Sequence, residues 1–85
     1  MIWKETEIEE GSIIRTFSEE IDPIDLQWHR DGEDREIVSI EESDWMIQLE
    51  NQLPISLNSP VFIKRGEWHR LIKGNNELIV KIVKG

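Results

Sequence analysis

The chain contains no alanine, and fourteen isoleucines and four valines carry most of its apolar content. Alanine is the strongest helix former, whereas β-branched side chains lose rotamer freedom on a helix and pack well on a pleated sheet. A chain built this way is expected to be all-β. Its 85 residues make one small domain, read as spanning 1–85. A core of that size is marginal unless a metal or a second subunit supports it. Cysteine is absent, which excludes disulfides, thiolate zinc sites and cysteine nucleophiles.

Apolar and polar residues alternate in short runs separated by turn residues. Ser12 to Ser18, Ile24 to Asp31, Glu36 to Glu42, Trp45 to Glu50, Val61 to Ile63, Trp68 to Lys73 and Leu78 to Val83 read as strands. Leu53 to Leu57 alternates across Pro54 and reads as an edge strand. Glu9-Glu10-Gly11, Gly32-Glu33-Asp34 and Lys64-Arg65-Gly66 are turns, and Gly74-Asn75-Asn76 is a hairpin signal. Eight or nine short strands at this spacing form a sandwich or barrel.

Net charge is −8, from 18 acidic and 10 basic residues. Such a balance repels a phosphate backbone and an anionic bilayer, so neither nucleic acid nor a membrane surface is an expected partner. No run is long and apolar enough to span a membrane, and Met1-Ile2-Trp3-Lys4-Glu5 lacks the apolar stretch of a secretory signal. The expected location is cytoplasmic. No serine sits in a nucleophile elbow, and no glycine-rich phosphate loop is present.

One tripeptide occurs twice, as Trp28-His29-Arg30 and Trp68-His69-Arg70, and contains both histidines of the chain. In the run Ile24 to Asp31, residues Ile24, Leu26 and Trp28 face one side; Asp25, Gln27, His29 and Asp31 face the other. His29 and Asp31 therefore project together. With His69 they have the composition of a two-histidine, one-carboxylate facial triad, suited to Fe(II) and tolerant of Mn, Co, Ni or Zn. Glu36 lies five positions beyond Asp31, across a turn, and is a further candidate, with Asp34 as its substitute. The simpler alternative is a His–carboxylate pair on a polar strand face, with Glu36 a solvated residue. Arg35 reads as part of a surface ion pair or turn; alternatively it enters the cavity and grips a carboxylate with its planar fork. Trp28 and Trp68 point away from the histidines, on the side of Arg30 and Arg70, where cation–π stacking accounts for the repeated tripeptide.

The stretch from His29 to His69 resembles the cupin family. The first cupin motif, H-x-H followed by three or four residues and Glu, is matched by His29-Arg30-Asp31, Gly32 to Arg35 and Glu36. The second, G-x5-P-x-G-x2-H-x3-N, falls on Asn58, Lys64, Gly66, His69 and Lys73, of which Gly66 and His69 match by identity. Asp31 stands where the family has a second histidine. The resemblance implies a small β-barrel or jelly roll of the cupin type, with His29, Asp31, Glu36 and His69 around a divalent Fe, Mn, Ni or Zn ion. Three functions are compatible with it: a metal-dependent enzyme acting on a small polar or anionic metabolite, a non-catalytic metal or ligand binder, and a metal-free interaction module. The four tryptophans and many isoleucines on so small a chain imply a homodimer.

Overall fold

The computed structural model describes residues 3–85; the first two residues of the chain lie outside the described residues. Among the described residues, eight strands form two antiparallel sheets. They are β1 (Trp3–Glu9), β2 (Ser12–Phe17), β3 (Arg35–Ser39), β4 (Met46–Leu49), β5 (Ile55–Ser56), β6 (Val61–Ile63), β7 (His69–Ile72) and β8 (Leu78–Lys84). The larger sheet has the order β1-β2-β8-β3-β6 and the smaller β5-β4-β7. No helix of the described residues is long and apolar enough to cross a membrane.

The core follows from alternation along each strand. On β8, Leu78, Val80 and Ile82 are buried. Register places Ile13 of β2 and Ile37 of β3 on either side of Ile82, and Val61 of β6 beyond Ile37. Ile47 and Leu49 face this surface from β4, and Trp45 and Leu57 close it. Trp45 is fully buried, and its indole N–H donates to the Asn76 carbonyl at 2.6 Å. This is a small β-barrel of the jelly-roll kind, the expected all-β class.

β1 is an edge strand and carries Lys4, Glu5, Glu7 and Glu9, charges that disfavour addition of another chain. Leu53 to Leu57 contributes the short edge strand β5, as Pro54 implies.

Two sequence-based expectations are corrected. The run Ile24 to Asp31 is not a continuous strand. Pro23 opens a 3-10 turn (Pro23–Asp25), which Asp22 caps by accepting from the Ile24 N–H at 3.0 Å. Beyond it, the segment keeps a single bridge, His29 to His69. The hairpin expected at Gly74-Asn75-Asn76 is a crossover instead: β7 belongs to the small sheet and β8 to the large one. Asp44 captures the turn by accepting from the Asn75 N–H at 3.1 Å and the Asn75 Nδ2 at 2.7 Å. Gly74 passes so close that an added Cβ would lie 2.1 Å from Asp44 Oδ1 and 2.7 Å from the Trp45 ring.

Candidate functional site

The site begins at the bridge between the two repeated tripeptides. His29 N–H donates to the His69 carbonyl at 3.0 Å, and His69 N–H donates to the His29 carbonyl at 2.9 Å. Two residues exchanging both bonds stand directly opposite, with side chains on one face. The rings accordingly lie 4.2 Å apart, centroid to centroid. Asp31 follows two positions after His29, and its carbonyl is tied by the Gly66 N–H at 2.9 Å. Gly66 has φ +80°, a conformation that side chains disfavour, and it turns the chain between β6 and β7.

His29, Asp31 and His69 converge, with one ligand atom from each within 4.8 Å of the others. Exposure falls across the three: His29 is exposed, Asp31 intermediate and His69 buried. His69 Nδ1 lies 2.8 Å from the Glu67 carbonyl, which only accepts, so Nδ1 carries the proton. His29 Nδ1 faces the Gln27 carbonyl at 3.2 Å in the same way. Burial lowers the His69 pKa; the neighbouring His29 and Arg35 act in the same direction, against the Glu67 hydrogen bond and Asp31. His69 is therefore neutral at pH 7 and presents a lone pair at Nε2.

That lone pair meets another acceptor. Asp31 Oδ2 lies 3.1 Å from His69 Nε2 and 3.6 Å from Arg35 Nε, yet it is buried with no hydrogen-bond partner among the described residues. A buried carboxylate oxygen without a donor is costly. A cation between Oδ2 and Nε2 removes that cost. The histidines are also arranged as metal ligands usually are, the remote ring nitrogen bonded to a backbone carbonyl that fixes the tautomer. The donor set fits a divalent transition metal.

The triad opens into a cavity of about 360 Å³. Phe17, Ile37, Ile63 and Ile82 line it from the large sheet, Ile47 and Leu71 from the small one, with Trp3 and Leu26 completing the apolar wall. The polar lining is Arg15, Asp25, Gln27 and Arg35 together with the triad. Asp25, Gln27, His29 and Asp31 all line the cavity, but Leu26, expected on the other side, lines it too, so the alternation breaks at the 3-10 turn and its C-cap.

Glu36 does not. On β3 it is exposed between the inward-facing Arg35 and buried Ile37. Register puts Glu36 on the outer face beside Val83 and Phe62, both exposed. Arg35 takes the inward place instead. Asp34 is also elsewhere, accepting from the Arg65 N–H at 2.8 Å and joining two loops. Sequence reasoning passed over Arg15, although Ile13 and Phe17 flank it at period two and both are buried.

On the opposite face of the bridge, register sets each tryptophan across from the other segment's arginine. Arg70 lies over the Trp28 ring at 5.1 Å and Arg30 over the Trp68 ring at 5.1 Å.

Comparison with solved structures agrees with this architecture. A cupin domain from Bordetella pertussis matches 99% of this chain and 92% of its own length, with TM-score 0.56 and 14% identity. A structure of the DMSP lyases RdDddP and RnDddQII matches 86% of this chain, with TM-score 0.69 and 11% identity. The iron(II) form of HppE matches 87%, with TM-score 0.64 and 11% identity. This chain spans only 36% and 41% of those last two proteins. No protein-family model matches the chain, and no curated protein matches it in sequence. The fold is that of the cupins.

Proposed function

We propose that this cupin-fold protein binds a divalent transition metal, Fe, Mn, Ni or Zn, through His29, Asp31 and His69, and acts as a metal-dependent enzyme on a small metabolite. The observation that carries the reading is the buried Asp31 Oδ2 facing the His69 Nε2 lone pair at 3.1 Å with no proton donor for it. Three protein ligands leave open positions, at which a bound ion supplies Lewis acidity. The chain's own residues do the rest. The Gln27 and Glu67 carbonyls hold the two imidazoles in their ligating tautomer. The apolar walls exclude water, which strengthens each electrostatic contact inside. Iron(II) HppE shares the fold, which supports metal chemistry on it without assigning a reaction.

One observation favours a second reading. Arg35 Nε sits 3.6 Å from Asp31 Oδ2, so an Arg35–Asp31–His69 network in a metal-free ligand-binding or interaction module is the alternative. Metal analysis by plasma mass spectrometry decides between them, on untagged protein purified without chelator beside the His29→Ala/His69→Ala double variant. Near-stoichiometric metal, lost in the variant, is expected. No metal as purified and none taken up on titration would leave the metal-free module.

A further inference from the structure

The cavity wall holds two arginines, Arg15 from β2 and Arg35 from β3, each with a side chain only 15% exposed. Each directs Nε and Nη2 to one carboxylate oxygen, Glu5 Oε1 for Arg15 and Glu33 Oε1 for Arg35. Nη1 of each has no hydrogen-bond partner among the described residues. Their surroundings differ. Arg15 lies over the Trp3 ring at 4.8 Å and forms a flat wall. Arg35 borders the triad, with Nε 3.6 Å from Asp31 Oδ2. A guanidinium offers five N–H donors in a planar fork, so Arg35 retains donors for a ligand beside the metal site.

We propose that the cavity takes a small monocarboxylate with an apolar body, and that the Arg35 guanidinium holds its carboxylate next to the triad. This deepens the metal-site reading and rests on it, by naming the ligand class of the same cavity. The apolar walls suit a hydrocarbon body. Burying a carboxylate requires a charged donor, and Arg35 is that donor. The volume of about 360 Å³ lies at the lower end of the range of roughly 300–1,000 Å³ for small-molecule sites, which fits a metabolite and not a polymer.

The test is calorimetric titration of Mn(II)-loaded protein with butanoate, 3-methylbutanoate, hexanoate and phenylacetate, each beside its primary amide. At least one acid is expected to bind about tenfold or more tightly than its amide, a difference that the charge-assisted fork supports. Arg35→Gln should erase that preference while metal content, measured in parallel, stays near stoichiometric. Arg35→Lys keeps the charge without the fork and should recover only part of it. The proposal is overturned if no acid binds, if acids and amides bind alike, or if Arg35→Gln leaves the preference intact, since the metal alone would then hold the carboxylate. The acid–amide comparison in the unmutated protein and the lysine variant decide the matter if Arg35→Gln fails to melt cooperatively. The same titration on chelator-treated protein separates the two readings. Absence of metal uptake would sink the metal site alone, and the acid–amide difference would still decide the carboxylate site.

Discussion

The bridge between His29 and His69 presents the same repeated residues to two different environments. On its outer face, Arg30 covers Trp68 and Arg70 covers Trp28, each guanidinium over a ring. Arg70 also donates through Nε to Gln48 Oε1 at 3.0 Å. Trp28 and Trp68 remain 41% and 40% exposed, so these contacts are solvated and modest. On the inner face, the His69 Nε2 lone pair and Asp31 Oδ2 face each other at 3.1 Å, and Oδ2 has no hydrogen-bond partner among the described residues. Polar groups on the outer face satisfy themselves; those on the inner face are complete only with something added. That contrast distinguishes a stabilising surface from a binding surface more clearly than residue type does, because both faces come from one tripeptide.

The largest expected effect tests the inner face. His69→Ala removes a buried ligand and should weaken metal binding by about 100-fold or more, since even outer-shell changes cost ~10–100-fold. Unchanged affinity in a competition titration would remove the contrast altogether. Asp31→Asn sharpens it by moving two quantities in opposite directions. The amide loses the anionic ligand, so metal affinity falls. In metal-free protein, however, its N–H can donate to His69 Nε2, and the melting temperature should rise, by the equivalent of about 1 kcal/mol for a satisfied buried acceptor. A fall in metal-free stability would show that the carboxylate is already satisfied, by Arg35.

The outer face should respond in the other currency. Trp28→Leu and Arg70→Met, with the double variant, should give a coupling of about 0.5–1 kcal/mol in urea denaturation, and metal content should not change. Metal loss in these variants would mean that the two faces are not independent. The smallest effect belongs to Glu36→Gln. As an exposed outer residue of β3, it should alter stability by less than about 0.5 kcal/mol and leave metal content intact. Loss of metal from this variant would restore Glu36 to the site.

Much of the architecture could be read in advance. Val61 to Ile63 was bounded correctly, and the all-β class followed from a chain of isoleucines without alanine. The convergence of His29 and Asp31 follows from their spacing on an extended segment, and it holds although the expected strand is reduced to the bridge at His29. Glu36 shows where a motif and an alternation disagreed: the family pattern pointed inward, while Ile37 next to it marks the buried parity and puts Arg35 and Ser39 on the inner side. The same parity, applied to Ile13 and Phe17, places Arg15 in the cavity. Arg35 already has the cavity as one of its two sequence readings, and the same rule makes Arg15 legible.

Local physics accounts for what the chain itself establishes. A period of two is a property of neighbouring residues, so strand positions and the side on which each residue lies are written in short windows. Partnership is not local. Gly74-Asn75-Asn76 has the residues of a tight hairpin, yet β7 and β8 lie in different sheets because Asp44 and Trp45, thirty residues earlier, occupy the space around the turn. His29 and His69 are forty residues apart, and nothing near either one specifies the two hydrogen bonds that set their rings side by side, 4.2 Å apart and tilted by 60°. Closing a loop of that length is opposed by chain entropy and repaid by burial across the whole barrel. The triad and the unpartnered carboxylate oxygen exist only once that packing is complete.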